Sequence, residues 1–409
     1  MHLERELLGR IEREGAWTFR DFMHAALYHD KLGYYNTERL KIGRVGDYYT
    51  SSNVHFAFGA VLAEAIVARL NELTPTSAPM TIVEAGPGTG QLAADILSAI
   101  RSEHRAIFER LHYILLETSP AMRARQQQTV AEFGDRVRRR SLEQLIRDPI
   151  RGIIFSNEMI DALPVHCVRR RDGSIEELFV MAEPRADARR RGESVVTAEQ
   201  DPSKPEFRTR EPESRLAFTW RPPSTPRLCE YLERSGVRLS DGQKGEINLD
   251  AIDWLRKVAG VLKEGFLITI DYGDIAGHLY GRDRLGGTLR SFYQHRLVDS
   301  VLERVGEQDI TASVNFTALI EYGLDFGFEK VSYERQADFL IRNGLIDRLA
   351  SMEEEGRSAL ENLKGRIAVK NLFVPGGISD NFRVLIQRKL DEGDRRQKTG
   401  DRRPEAGVG

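Results

Sequence analysis

Short apolar runs alternate with segments of helical spacing from the first quarter of the chain onward. The apolar pattern predicts strands at residues 82–85, 113–116, 153–155 and 265–270. The alternation of strands and helices leaves a place for a further strand at residues 137–140. Helical spacing between them predicts helices at residues 91–100, 120–133 and 251–262. Repeated strand–helix units predict an α/β fold with a parallel, doubly wound sheet, in which ligands bind beyond the carboxyl ends of the strands.

A largely helical segment precedes this alternating region. Apolar residues at helical spacing predict helices at residues 3–14, 19–29 and 54–73. The last two are separated by a polar and aromatic loop at residues 43–53. Such a loop either packs against the core or lines a binding site. On the second alternative, Thr50 and Ser51 are candidate ligand contacts.

The changes in pattern divide the chain into five parts. We predict an N-terminal helical segment with its loop (1–78), the first half of the sheet domain (79–164), an insertion (165–248), the second half with accessory helices (249–390) and a disordered tail (391–409). Within the insertion, residues 165–170 and 176–181 flank an Asp-Gly pair and predict a β-hairpin. Residues 183–213 are rich in Arg, Glu and Pro, which predicts a weakly packed arm.

Charge and cysteine content limit the classes of protein to which this chain can belong. Sixty basic and 62 acidic residues leave a formal charge of -2, which argues against a general nucleic-acid binder. Two cysteines cannot form a metal cluster and fit a reduced compartment, and the histidines are too scattered to predict a metal site. No apolar run reaches the ~18 residues of a membrane span, and no signal-peptide pattern is visible. We expect a soluble, cytoplasmic protein.

A glycine-rich stretch joins the first predicted strand to its helix, and it reads Glu84-Ala85-Gly86-Pro87-Gly88-Thr89-Gly90. Glycines let the backbone approach a ligand closely, and the free N–H groups of a helix start bind polar groups. Glu84 would repel a pyrophosphate but suits a ligand with a cationic end, such as the amino group of S-adenosylmethionine. Residues 88–93 also satisfy a degenerate dinucleotide-binding pattern, so a nicotinamide dehydrogenase is the competing interpretation. The proline within the turn counts against it, because proline lacks a backbone donor.

Acidic residues follow the second and fourth predicted strands. Glu117 could bind the ribose hydroxyls of either cofactor, or be a solvated carboxylate. Asn157, Glu158 and Asp161 come directly after the fourth strand. If residues 158–161 form a helical turn, the two acids share one face and could hold a guanidinium group. The alternative is that they stabilise the N-terminus of a helix.

These two motifs resemble those of a known enzyme family. The glycine-rich stretch resembles motif I of class I S-adenosylmethionine-dependent methyltransferases. The stretch Asn157-Glu158-Met159-Ile160-Asp161-Ala162-Leu163-Pro164 resembles the signature of the MidA-type branch, which includes the mitochondrial complex I assembly-factor arginine methyltransferase. Further matching stretches, among them Asp271-Tyr272-Gly273, extend the similarity over residues 3–389.

The resemblance implies a Rossmann-like methyltransferase domain with an N-terminal helical segment and inserted α+β accessory elements. It implies S-adenosyl-L-methionine as cofactor and a protein substrate, such as a respiratory-chain subunit, methylated on arginine. By motif position, the methionine end of the cofactor would contact Glu84, Gly86, Pro87, Gly88 and Gly90, and the ribose would contact Glu117. The side chains facing the substrate would be Asn157, Glu158 and Asp161.

Several departures from the family pattern leave the substrate open. They include Ser52-Asn53, Tyr293-Gln294 and the length of the Arg-rich insertion. The alternatives are a methyltransferase acting on a small molecule or RNA, a non-catalytic assembly factor that binds the cofactor, and an NAD-dependent dehydrogenase. The sequence leaves the oligomeric state open, a homodimer included.

Overall fold

The computed structural model describes residues 2–37, 56–73, 79–185, 214–294, 296–351 and 378–391. Its helices there are α1 (His2–Glu14), α2 (Phe19–Tyr28), α3 (Phe56–Asn71), α4 (Gln91–Glu103), α5 (Arg105–Phe108), α6 (Pro120–Thr129), α7 (Leu142–Arg147), α8 (Arg227–Arg234), α9 (Leu249–Val261), α10 (Ala276–Leu279), α11 (Phe316–Asp325), α12 (Gln336–Arg342) and α13 (Leu345–Ser351). Its strands are β1 (Trp17–Thr18), β2 (Met80–Ala85), β3 (Leu111–Leu116), β4 (Val137–Arg139), β5 (Ile150–Asn157), β6 (His166–Arg171), β7 (Ser174–Pro184), β8 (Ser214–Arg221), β9 (Lys244–Ile247), β10 (Leu262–Asp274), β11 (Arg290–Tyr293), β12 (Arg296–Leu297), β13 (Asp309–Thr311), β14 (Val314–Asn315), β15 (Phe328–Arg335) and β16 (Phe382–Lys389).

A mostly parallel sheet of eight strands forms the centre of the molecule. The strand order is β15-β16-β10-β5-β2-β3-β4, and β14 pairs with the end of β10. The strands β10, β5, β2, β3 and β4 run parallel, whereas β16 is antiparallel to both of its neighbours. The predicted α/β fold with a parallel sheet is confirmed.

Helices cover both faces of this sheet. On β5, Ile153 and Phe155 belong to the core beneath α3 and α4, and Ile154 belongs to the core beneath α9 and α11. Strands that are covered on both faces read as continuous apolar runs. The sequence therefore locates these strands, although the observed strands extend beyond the predicted ones.

A second sheet combines the N-terminal segment with the insertion. Its order is β1-β7-β6-β9, and β8 pairs with the other edge of β7. The predicted hairpin is confirmed, since β6 and β7 are antiparallel and their turn contains Gly173 with a φ of 83°. Helices α1 and α2 pack on this sheet. Arg20 of α2 also forms a bidentate ion pair with Asp250 of α9, in which its Nε and Nη2 donate to Oδ1 and Oδ2 at 3.0 and 2.7 Å.

Some predicted elements differ from the structure or fall outside it. The helix predicted at residues 120–133 is too long, because α6 ends at Thr129 and a 3₁₀ segment with Gly134 at positive φ follows. The loop predicted at 43–53, and all but the first residues of the predicted arm and tail, lie outside the described residues. Among the described helices, none has the length and apolar character to cross a membrane.

Gly152 on β5 lies opposite Thr81 on β2. Its φ is 153°, and a Cβ on it would lie 1.9 Å from the carbonyl oxygen of Thr81. A methyl group would push the two central strands apart, so we expect Gly152→Ala to lower the free energy of unfolding by about 3 kcal/mol. Gly260→Ala in α9, where a Cβ meets no atom within 4 Å, should instead stabilise the protein by up to about 1 kcal/mol. Urea unfolding measures both, and equal midpoints would contradict the prediction.

Candidate active site

The glycine-rich turn joins β2 to α4 at the carboxyl edge of the central sheet. Gly86, Gly88 and Gly90 have φ angles of 70°, 52° and 83°, a region in which residues with a Cβ are strained. A Cβ on Gly86 would also lie 2.6 Å from the Cγ of Met159. Gly90 is the N-cap of α4, so the unpaired N–H groups of the first helical turn follow directly.

A cavity of about 430 Å³ opens beside this turn, a volume typical of small-molecule sites. Its walls come from the carboxyl ends of β2, β3 and β5, from α9 and from the N-terminal segment. The described residues that line it include Tyr28, Tyr35, Glu84, Gly86, Pro87, Gly88, Glu117, Asn157, Glu158 and Trp254. The fold therefore brings seven of the predicted site residues to one cavity.

Of the four other predicted site residues, two are described by the structure, and neither of these lines the cavity. Gly90 belongs to the start of α4, and Asp161 is buried close to Glu158 without lining the cavity. Thr50 and Ser51 lie outside the described residues.

Glu84 is a buried acid on the cavity wall, with 2% of its surface exposed. The hydroxyl of Tyr113 donates to its Oε2 at 2.7 Å. Burial outweighs this hydrogen bond and, together with the carboxyl groups of Glu117 and Asp95, raises the pKa of Glu84 to about 8. A cation in the cavity would favour the ionised form. The sequence did not identify Tyr113 as a site residue, because its contact with Glu84 depends on the pairing register of β2 and β3.

Glu117 follows β3, and several hydrogen-bond donors hold its carboxyl group. The backbone N–H of Ser119 donates to its Oε1 at 2.8 Å, and the Nε2 of Gln126 donates to its Oε2 at 3.1 Å. The same Nε2 donates to the carbonyl oxygen of Gly88 at 2.8 Å. Gln126 thus connects the glycine-rich turn to Glu117. Sequence reasoning missed it, because it stands in a run of three glutamines on α6.

Residues 158–161 form a turn that is not helical, so the condition under which the two acids would share one helix face is not met. Glu158 has a φ of 51°, a conformation that costs a non-glycine residue about 1–3 kcal/mol. Its backbone N–H donates to the carbonyl oxygen of Ile270 at 2.9 Å, and the Nδ2 of Asn157 lies 3.3 Å from its Oε1. The turn nevertheless brings Glu158 and Asp161 close enough to interact electrostatically.

Two buried oxygens beside Glu158 have no hydrogen-bond donor. They are the Oδ1 of Asn157 and the Oδ1 of Asp161, within the part of the chain that the structure describes. Burial, reinforced by Glu158, raises the pKa of Asp161 to about 7, although Tyr272 donates a hydrogen bond to it. Because buried polar atoms are normally paired, the end of β5 is suited to a ligand that brings N–H donors.

The family of the chain accounts for this combination of residues. Residues 61–333 match the model of a family described as S-adenosyl-L-methionine-dependent methyltransferases. The chain belongs to this family. Its cofactor is therefore S-adenosyl-L-methionine, as predicted, and the dehydrogenase alternative is wrong.

Curated relatives and a solved structure agree with the family. The protein arginine methyltransferase NDUFAF7 homolog of Drosophila melanogaster is 26% identical over 342 residues, which cover 77% of this chain and 68% of the relative. The human NDUFAF7 is 23% identical over 336 residues, which cover 77% and 67%. A candidate methyl transferase from Burkholderia thailandensis, solved with bound S-adenosyl-homocysteine, has a TM-score of 0.79 at 27% identity over 95% of this chain and 92% of that one. The predicted resemblance is confirmed.

Proposed function

We propose that this methyltransferase methylates an arginine side chain of a protein. The observation that carries the proposal is the set of hydrogen-bond acceptors at the end of β5, where Asn157 and Glu158 line the cavity and Asp161 lies close by. A guanidinium group brings five N–H donors and no acceptor, which suits the side-chain oxygens of Asn157 and Glu158 on the cavity wall. The names of the NDUFAF7 relatives support the same acceptor.

The cavity residues divide into two groups, one for each reactant. Glu84 would hold the ammonium group of the cofactor, the backbone of the glycine-rich turn its carboxylate end, and Glu117 its ribose hydroxyls. The buried acid at residue 84, whose Oε2 accepts the hydroxyl of Tyr113, fits a cationic group. When bound, the cofactor would supply a methyl group on a sulfonium centre.

Glu158 would orient the acceptor and stabilise its charge. A carboxylate binds a planar guanidinium through paired hydrogen bonds, and Asn157 offers a further oxygen beside it. By drawing positive charge toward two of the guanidinium nitrogens, Glu158 leaves electron density on the nitrogen that attacks. Holding both reactants in line contributes most of the rate enhancement in such a transfer, and Glu158 can accept the proton that the methylated nitrogen loses.

The proposal is tested by offering the protein different acceptors with labelled S-adenosylmethionine. A cell lysate is separated into protein, RNA and small-molecule fractions, and label is followed in each. We expect incorporation into protein, with mass spectrometry placing the methyl groups on arginine. A synthetic peptide around the modified arginine should be methylated, and the same peptide with lysine at that position should not. Label found in RNA or small molecules alone would contradict the proposal.

Cofactor binding should depend on pH through Glu84. Its pKa of about 8 in the protein alone means that the acid is mostly protonated at pH 6 and must release its proton to pair with an ammonium group. We expect the affinity for S-adenosyl-homocysteine to fall roughly tenfold or more between pH 8 and pH 6. Calorimetry in buffers of different ionisation enthalpy should show proton release near pH 7.

A ligand without the amino group provides the control. The affinity for methylthioadenosine should change little over the same pH range, because it offers Glu84 no cation. Tyr113→Phe removes the hydrogen bond that favours the ionised acid and should move the midpoint for S-adenosyl-homocysteine to higher pH. Binding of that ligand with no pH dependence would show that Glu84 does not hold the ammonium group.

A further inference from the structure

We propose that Asp271 is the positioning residue of the acceptor site, because its carboxylate holds the turn that aims Glu158 at the methyl acceptor. Asp271 lies at the carboxyl end of β10, beside β5, and is completely buried. It does not line the cavity, so it acts through Glu158. The inference rests on the proposed role of Glu158.

The contacts of Asp271 are concentrated on this turn. Its Oδ2 accepts the backbone N–H groups of Met159, Ile160 and Asp161 at 3.3, 2.9 and 3.3 Å. Its Oδ1 accepts the N–H of Tyr272 at 2.9 Å. Three successive N–H groups can converge on one oxygen only if the chain bends around it, and this bend follows directly after Glu158 with its positive φ.

The carbonyl groups of the turn point elsewhere. The carbonyl oxygen of Ile160 accepts the Nδ2 of Asn248, that of Asp161 accepts the N–H of Ala312, and that of Ala162 accepts the hydroxyl of Tyr28. These three donors belong to the insertion, to the segment after β13 and to α2. Asp271 therefore anchors the turn to the central sheet, while the other contacts attach it to the accessory elements.

Holding this turn with an aspartate carries an electrostatic cost. Burial and the carboxyl groups of Asp161 and Glu158 raise the pKa of Asp271, because three acids share one poorly hydrated region. A residue with a purely structural role would increase stability, whereas one retained for catalysis can reduce it. Neutralising Asp271 should therefore reduce turnover more than stability.

The test compares two substitutions on the same strand. Asp271→Asn keeps the shape and one acceptor oxygen but places an NH₂ group against backbone N–H groups. Asp274→Asn is the matched control, since Asp274 also accepts a neighbouring backbone N–H, from Ile275 at 2.8 Å, but makes no contact with the turn. We expect the kcat of Asp271→Asn, expressed per folded protein, to fall at least tenfold, with the affinity for S-adenosyl-homocysteine close to that of the parent and a lower melting temperature because buried N–H groups lose their acceptor. Asp274→Asn should leave kcat unchanged.

Hydrogen exchange provides a readout that needs no acceptor. The amides of Met159, Ile160 and Asp161 should lose protection in Asp271→Asn and keep it in Asp274→Asn. Unchanged protection with unchanged kcat would overturn the inference, as would a loss of kcat that only parallels a loss of folded protein. Asp271→Ser, which retains an acceptor without the charge, serves if the asparagine variant does not fold.

The two proposals fail in different ways. If Glu158→Gln lowers kcat and Asp271→Asn does not, the positioning role is wrong and the acceptor site stands. If neither substitution lowers kcat, the acceptor site itself is wrong. Loss of amide protection in Asp271→Asn without any loss of kcat would show that the turn is held by Asp271 but that its geometry does not matter for methyl transfer, which also overturns the inference.

Discussion

Glu158→Gln should lower the kcat of methyl transfer by roughly 10²–10³-fold while the affinity for S-adenosyl-homocysteine changes by less than about threefold. Glutamine keeps the size of the side chain but loses its charge and turns one acceptor into an NH₂ donor, which repels the N–H groups of a guanidinium. The proposed cofactor contacts, Glu84 and Glu117, belong to the ends of β2 and β3. The effect should therefore appear in turnover, measured with labelled cofactor and the identified acceptor, and not in calorimetric binding.

A carboxylate remote from the cavity provides the control for this substitution. Glu183 on β7 is partly exposed and pairs with Arg215 at 2.7 Å. Because exposed ion pairs contribute little to stability, Glu183→Gln should match the parent in turnover, binding and melting temperature. Parental turnover in Glu158→Gln would remove Glu158 from the reaction.

Gly88→Val should abolish cofactor binding, with an affinity for S-adenosyl-homocysteine at least about 100-fold weaker. A β-branched residue cannot occupy a φ of 52° without strain, so the turn must leave its present conformation. That change also displaces the carbonyl oxygen that accepts the Nε2 of Gln126, and with it the support of Glu117. Both ends of the proposed cofactor site should be lost together, as titration calorimetry would show.

Gly134→Val separates this effect from a general cost of strain. Gly134 has a φ of 55°, close to that of Gly88, lies in the 3₁₀ segment after α6, and offers open space to a Cβ. The two variants should lose similar stability by urea unfolding, yet Gly134→Val should retain binding. Retained binding in Gly88→Val would place the cofactor somewhere other than this turn.

The sheet was predictable because its strands are buried on both faces. The pair Ile82-Val83 and the run at residues 153–155 are apolar without alternation, as a covered parallel sheet requires. The glycine-rich turn was predictable for a similar local reason, since its positive φ angles require glycine. The second sheet, which contains β1 and β7, was harder to predict from the sequence. The pairing of Trp17 with Val180 joins two segments that share no sequence pattern.

Only those site residues that belong to a local sequence motif could be predicted. Glu84, Glu117 and Glu158 follow strands, and their position at the ligand-binding edge follows from the fold class. Their partners Tyr113 and Gln126 depend on strand register and helix packing. Acids at the spacing of Glu158 and Asp161 suit a helical turn, and the sequence left that conformation open. In the structure Asp271, 110 residues beyond Asp161, accepts the N–H groups that would start such a helix.

The second sheet also has a consequence for folding during translation, because it pairs an early segment of the chain with a much later one. Strand β1 pairs with β7, 163 residues later, and α1 and α2 bury their apolar faces against that part of the chain. At translation rates of 5–20 residues per second, roughly 10–30 s pass before the partner strand has been made. During that interval the side chains of Leu7, Phe19 and Phe22 lack the later strands of their core. The N-terminal segment of the nascent chain therefore exposes apolar surface. Chaperone capture at the ribosome is the natural protection for such a segment, and the demand for it ends when β7 emerges.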